Sequence, residues 1–305
     1  MVWTDLAARV AEEIAAGRWG DGEPLPGVRR RARESGCSAG TAARAYTALR
    51  EAGVLRGTPR SRFVVAAQGA ARAAAWRPNG SDLRLAGSDD PALDLLIRAA
   101  GGSVSVAPGA RGSVPGLVQL ARGTADAAAV HLLDPASGRW NDSFARGALA
   151  GRPALLVHLW RREQGLVVQR GNPKRIRGVG DLARHRVAWR PAGTGSRLLL
   201  ERLMVVEGAT PRPELGVPAE SHLAVAAAVA AGAADTGLAV RAVAESLELD
   251  WICVATESFE LGLEPESRPA AEPLLSVLAG TAVQDRIAAL PGYDLAMSGE
   301  SRIGT

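Results

Sequence analysis

The chain has 305 residues, 36 Lys+Arg against 32 Asp+Glu, and 47% apolar composition; it is too long for one ordinary core and too apolar for a disordered chain. Its net charge of +4 is localised: residues 1–65 hold eleven Arg and seven acids, whereas the remainder holds 25 basic and 25 acidic side chains. No uninterrupted apolar run of about 18 residues occurs, Met1-Val-Trp-Thr-Asp5 has no basic region before an apolar one, and Cys37 and Cys253 stand alone, so a membrane span, a secretory signal, a disulfide framework and a zinc site are not expected, and a cytoplasmic protein is.

Leu6, Val10 and Ile14 recur every fourth residue and predict a helix over about 4–16, with Thr4 as its N-cap. The Gly- and Pro-rich stretch 17–26 breaks it. A short basic helix over 28–34 ends at Gly36. Ser38 then caps a longer helix with Ala42, Ala45, Tyr46 and Leu49 on its inner face, stopped by Gly53. Apolar runs at 54–55 and 63–65, separated by a basic, Pro-containing turn, suggest a small hairpin. Residues 66–80 have no useful apolar periodicity, so 66–81 reads as a partly helical linker with Trp76 packing on a domain.

From 82 to 305 strand-like and helix-like segments alternate. Strands are expected over 83–86, 103–106, 125–132, 154–158, 165–168, 186–189, 236–238 and 251–254. Helices are expected over 91–100, 114–121, 195–207, 221–231 and 241–247. The alternation argues for parallel sheets flanked by helices, either as one large sheet or as two lobes.

Three helices followed by a hairpin is the order of a winged helix-turn-helix, and the basic residues suit one. Ser38 and Thr41 at a helix N-terminus can offer hydroxyls and backbone N–H groups to phosphate. Arg44, one turn on, can reach a base edge, where guanine is the usual target of an Arg fork. Arg56, Arg60 and Arg62 put charge on the hairpin. The segment Leu25-Pro-Gly-Val-Arg29 … Cys37-Ser-Ala-Gly-Thr41-Ala-Ala-Arg44-Ala-Tyr46-Thr-Ala-Leu49-Arg-Glu-Ala-Gly53-Val-Leu55 resembles the GntR-type winged helix over residues 4–65. Arg29 matches the family's backbone-contacting Arg, and Arg31 and Ala39 depart from the family's Leu and Arg. The resemblance implies a homodimer on an inverted-repeat, double-stranded operator.

Three loops carry the other candidate site: Gly87-Ser88-Asp89-Asp90-Pro91, Gly112-Ser113-Val-Pro-Gly116 and Arg190-Pro-Ala-Gly193-Thr194-Gly195-Ser196-Arg197. The first and third follow expected strands, and all three precede expected helices. Each therefore places hydroxyls and unpaired N–H groups at a helix N-terminus, and convergence of the three would make an anion cradle. A cap at each helix would explain the same residues. His131 follows a strand on the edge where α/β ligands bind, while Asp126 and Asp235 read as structural. The candidate ligand contacts are Ser88, Asp89, Asp90, Ser113, His131, Arg190, Gly193, Thr194, Gly195, Ser196 and Arg197.

The stretches 87–96, 112–117, 122–134, 162–168, 171–173, 226–238 and 292–294 resemble the type II periplasmic-binding-protein fold. More narrowly, they are similar to the PBP-like domain found with molybdopterin-biosynthesis proteins and oxyanion sensors. Residues 190–196 also resemble the anion loop of phosphate- and tungstate-binding transport proteins, with Ala192 where the phosphate proteins have a proton-accepting Asp. The resemblance implies two lobes, the second over roughly 160–255, closing on a small anion such as molybdate or tungstate or on a small anionic metabolite.

No nucleophile–base pair stands at a recognisable spacing, so no enzyme, no metal and no cofactor are expected. The expected fold is an N-terminal winged helix-turn-helix (α+β) over 1–65 followed by a two-lobed α/β periplasmic-binding-protein-like domain over 82–305. The expected function is a ligand-responsive transcriptional regulator. The alternative is a fold kept as an oligomerisation or catalytic module that senses nothing.

Overall fold

The computed structural model describes residues 2–58, 62–76, 83–109 and 111–304. In the first unit the stripe Leu6, Val10, Ile14 is fully buried on helix α1 (Trp3–Ala15). The N-cap is Val2 rather than Thr4, and the Asp5 carboxylate accepts the Val2 N–H at 3.3 Å. Helices α2 (Val28–Glu34) and α3 (Ala39–Glu51) pack with α1, and strands β1 (Leu55–Arg56) and β2 (Val64–Val65) pair antiparallel beneath them. Arg31, which departs from the resembled pattern, is an interior residue. Its guanidinium holds both oxygens of Glu13 at 3.2 and 2.8 Å and reaches the Tyr46 hydroxyl at 3.3 Å. Tyr46 in turn donates to the Pro26 carbonyl at 2.9 Å, so one buried cation ties α1, α2 and α3 together.

The expected linker does not begin as a free tether. Helix α4 (Gly69–Ala75) packs along α1, Ala73 is buried in the first core, and Trp76 rests against that core. The Arg84 guanidinium donates to the Ala74 carbonyl, which ties α4 to the next strand. Residues 77–82 lie outside the described residues.

Beyond them the chain builds one ten-stranded sheet in two lobes. Lobe I has parallel strands β3 (Leu83–Gly87), β4 (Val104–Val106) and β5 (Ala127–Val130). Its helices are α5 (Pro91–Ala100), α6 (Ser113–Ala121) and α7 (Asp142–Ala148), with α11 (Arg268–Leu278) and α12 (Thr281–Ala288) from the C-terminal part. Lobe II has parallel strands β7 (Val187–Trp189), β8 (Val217–Pro218) and β9 (Thr236–Val240), with helices α8 (Gly195–Val206), α9 (His222–Ala230) and α10 (Arg241–Ser246). Parallel strands with helical crossovers bury both faces, which is why every residue of β5 and β9 is buried.

Two long antiparallel strands join the lobes, β6 (Leu155–Val168) and β10 (Asp250–Leu263). The sequence suggests two separate strands in the first case and a four-residue strand in the second. The polar residues that interrupt the apolar runs, Arg162, Glu163, Gln164, Glu257 and Ser258, do not end the strands; they mark where the ribbon passes from one lobe to the other. Strands β11 (Tyr293–Asp294) and β12 (Ser301–Ile303) add to the edge of β6. Asp126 and Asp235 anchor strand starts, each accepting a backbone N–H, from Arg84 and Arg186 respectively.

Candidate functional site

The three loops meet between the lobes. From lobe I come Ser88, Asp89 and Asp90 after β3, Ser113 at the start of α6 and His131 after β5. From lobe II come Arg190 to Ser196 between β7 and α8, and His222 at the start of α9. The crossing ribbon supplies Arg162, Gln164 and Glu257. Apart from Asp89, Pro191, Ala192 and Gly193, all of these residues are buried.

The lobes are closed on one another. The Val114 N–H donates to the Gly193 carbonyl at 3.1 Å across the cleft, and the Arg190 guanidinium grips both carboxylate oxygens of Asp89. Gly195 lies against His131 so closely that a Cβ would sit 2.5 Å from the ring Cε1. A side chain at 195 would hold the lobes apart.

Arg162 is the centre of the buried network. It pairs on the ribbon with Glu257 directly opposite, its Nε donating to Glu257 Oε1 at 2.5 Å, and it also bonds Asp90. Its guanidinium carbon lies 4.4 Å from the Phe259 ring centroid. Asp90 uses its other oxygen to cap α5, accepting the Ala92 and Leu93 N–H groups at 2.7 and 2.9 Å, and it accepts the Tyr293 hydroxyl at 2.7 Å. Glu257 accepts His131 Nδ1–H at 2.9 Å and Gln164 Nε2–H at 2.9 Å; Gln164 also reaches Ser196 Oγ at 2.8 Å. Ser113 Oγ accepts the His131 N–H at 3.2 Å and shares a hydrogen bond with Ser88 Oγ at 2.9 Å.

Burial opposes charge on Glu257, but the His131 ring and the Arg162 guanidinium outweigh it and hold the carboxyl at about 2. Burial likewise acts against Asp89, and His222 and Arg190 reverse it, so Asp89 stays far below the usual carboxylate range. Burial and then Arg190 push the His222 imidazole well below its ordinary value. The cleft thus contains three carboxylates, two guanidiniums and two imidazoles whose charged forms burial disfavours.

Four polar atoms in this set are buried and find no hydrogen-bond partner among the described residues: Arg162 Nη2, Arg190 Nε, His222 Nδ1 and Gln164 Oε1. Buried polar groups are normally paired, so a cluster of orphans marks a place where another molecule's polar atoms would be held.

Two of the sequence candidates also carry local structural bonds. Arg197 pairs with Glu201 at 2.7 Å one helical turn on, donates to the Arg190 carbonyl at 3.1 Å and stacks 5.4 Å from the Trp189 centroid. Local helix geometry thus gives its guanidinium partners of its own. Thr194 caps α8, its Oγ1 accepting the Arg197 N–H at 3.4 Å, and its hydroxyl donates to the Pro191 carbonyl at 2.8 Å. Conversely, Arg162, Gln164, Glu257, Tyr293 and His222 are absent from the sequence-derived set. The signal for the ribbon residues is the polar run Arg161-Arg162-Glu163-Gln164 between two apolar stretches, in which Arg162 and Gln164 share one face of the strand.

The basic residues of the first unit lie apart from this cleft. Arg29, Arg44, Arg56 and Arg62 are exposed, and none pairs with a carboxylate among the described residues. Arg44 stacks on Trp3 at 4.7 Å. Ser38 Oγ caps α3 by accepting the Thr41 N–H at 3.0 Å and bonds the Thr41 hydroxyl at 2.9 Å. Arg60 lies outside the described residues.

No group of three or more His, Cys, Asp or Glu among the described residues is placed to hold a metal ion. No helix among them is long and apolar enough to cross a membrane.

Two α/β lobes joined by a crossing ribbon, with a buried polar set between them, define a two-lobed binding-protein architecture. The chain belongs to the PBP superfamily: a family model described as "PBP superfamily domain" matches residues 95–279. A relative in Bacillus subtilis (strain 168), the uncharacterized protein YvgK, is 27% identical over 229 residues, covering 73% of this chain and 74% of the relative. Among solved structures, an ABC-type phosphate transport receptor from Vibrio cholerae is 15% identical, with a TM-score of 0.46, over 69% of this chain and 98% of its own. A mutant of Corynebacterium glutamicum OxyR with H2O2 bound is also 15% identical with a TM-score of 0.46, over 95% of this chain and 94% of its own.

Proposed function

We propose that the chain is a ligand-responsive DNA-binding transcriptional regulator. In this reading residues 1–65 form a winged helix-turn-helix head of the GntR type, working as a homodimer on double-stranded operator DNA. Residues 82–305 form the sensor, and the protein carries out no chemical step. The observation that carries the sensing half is the set of orphaned polar atoms between the lobes, the guanidinium donors Arg162 Nη2 and Arg190 Nε with the His222 ring atom Nδ1. Donors of that kind suit a small anion. The anion competes with Asp89 for the Arg190 fork, since that carboxylate already occupies it. The exposed Arg29, Arg44, Arg56 and Arg62, all on the first unit, support the DNA half. Ligand binding changes lobe closure, and lobe closure changes the relation of the two heads of a dimer.

Two measurements test this. Selection of DNA from a random pool should enrich an inverted repeat, and its affinity should fall with salt. A thermal-shift panel of molybdate, tungstate, sulfate, phosphate and small carboxylates should contain at least one stabiliser, since a hundredfold excess over Kd is worth about 2.7 kcal/mol. Thr194→Ala with Ser196→Ala should abolish that shift and leave DNA binding intact. No enriched sequence and no stabilising anion would falsify the proposal.

One observation favours a second reading. Asp89 and Arg190 close the lobes with the protein's own charges, as a module that senses nothing would need. A flat anion panel together with operator binding would favour that reading.

A further inference from the structure

The crossing ribbon has a second polar face, and the sensing role proposed for the chain makes no use of it. Side chains alternate along β10, so Ser258 and Glu260 face away from Glu257 and Phe259. On β6 one extra residue, Leu159, lies between the partners of Phe259 and Glu260, which are Trp160 and His158. A bulge of this kind re-aims its neighbours. Here it brings His158 to the side of Glu260, with Nδ1 3.5 Å from Glu260 Oε1. A recess of about 360 Å³ opens on that face, walled by Trp140 and Met297 and bounded by Arg161, Glu300 and Arg302.

The inner charges of this recess are satisfied. Glu260 accepts from Arg302 through both oxygens and from Asn141 Nδ2 at 2.9 Å. Asp142 pairs with Arg302 at 3.3 Å and with Arg139 at 2.9 Å. The buried His158 ring keeps one atom, Nε2, without a hydrogen-bond partner among the described residues. At the rim two further charges remain: Arg161 and Glu300 are exposed, and neither has an opposite charge within ion-pair distance among the described residues.

A lone anion at this rim would satisfy Arg161 and face Glu300, and a lone cation would do the reverse. A molecule carrying both charges meets both. We propose that this recess binds a small zwitterion, an α-amino acid with an apolar side chain, its carboxylate on Arg161, its ammonium on Glu300 and its side chain against Trp140 and Met297. The site is separate from the interlobe cleft and lies on the back of the strands that carry Arg162 and Glu257.

Calorimetric titration of the full chain tests it, with L-phenylalanine and L-leucine as probes and with phenylpropanoate and phenylethylamine as single-charge controls. At least one amino acid should bind, and L-phenylalanine should bind about tenfold or more tightly than either control. Arg161→Gln and Glu300→Gln should each weaken binding by about tenfold. Both side chains are exposed, so the melting temperature of each variant should stay within the ordinary range of surface substitutions. Thr194→Ala with Ser196→Ala should leave amino-acid binding unchanged, which separates this site from the proposed anion site. Absence of heat with both amino acids, equal binding of a single-charge control, or undiminished binding in both rim variants would overturn the assignment. Loss of binding in the Thr194/Ser196 variant alone would move the amino acid to the interlobe cleft and overturn it too.

Discussion

The same residue type does opposite things in the two halves of this molecule. On the first unit, Arg29, Arg44, Arg56 and Arg62 stand in water with no carboxylate partner among the described residues. Between the lobes, Arg162 and Arg190 are buried, and each is gripped by acids. Exposed charge costs little and stays free to meet a partner such as a phosphate backbone. Buried charge must be paired where it sits, and it holds the shape of whatever surrounds it. Arg31 shows that position, rather than the domain, decides: it belongs to the basic unit, yet it is buried on Glu13 and Tyr46 and ties helices together.

Substitutions should separate these uses in a graded way. Arg162→Leu leaves Asp90 and Glu257 buried without their cation, and urea unfolding should show a loss of about 3–5 kcal/mol. Arg31→Leu takes the buried cation from Glu13, which keeps only Trp19 Nε1 and the exposed Arg18, and removes a partner from Tyr46; it should cost about 1–3 kcal/mol by the same measurement. If Arg31→Leu proved neutral, the contrast between free and gripped arginines inside the first unit would fail.

The next effect is one of slope. The Glu257 carboxyl, ordinarily near 4.5, is held at about 2 in the folded chain. A carboxyl with a lowered folded value contributes stability that is present above its unfolded value and lost as pH falls toward the folded one. Acid unfolding should therefore steepen between about pH 4.5 and 2, and Glu257→Gln should flatten that interval. An unchanged acid limb in the variant would show that other carboxylates carry it. The smallest change in stability belongs to Arg44→Ala and Arg56→Ala, each within about 0.5 kcal/mol of the parent, while DNA affinity measured by anisotropy should drop in both.

Much of the fold was legible because its signals are local. The helix expected over 91–100 is α5 to the residue, since Asp90 caps it and Pro91 opens it, both visible in the sequence. The three anion-type loops do meet, because strand-to-helix turns of a parallel sheet gather along one edge. What escaped was non-local. The continuous strands β6 and β10 are hidden by polar residues that make sense only once a partner strand and two lobes surround them. Arg162 and Glu257 lie 95 positions apart, and no periodicity within one segment reports such a pair. The partner of Arg197 was by contrast local, a glutamate one turn along the same helix.

The crossing ribbon also orders events in time. The chain leaves lobe I along β6, builds all of lobe II, and returns along β10. Strand β10 is the direct neighbour of β5, so the sheet of lobe I is incomplete until the last third of the chain has been made. The strands and helices between β6 and β10 are contiguous and need no such wait. During synthesis lobe II should therefore gain protected amides first, with β3, β4 and β5 exposed until β10 and α11 arrive. Hydrogen-exchange labelling of stalled nascent chains in which residues up to about 250 have cleared the ribosome should find α9 and β9 protected and β3 open. On that schedule the interlobe cleft is assembled late, when Glu257 reaches Arg162 and Tyr293 then reaches Asp90.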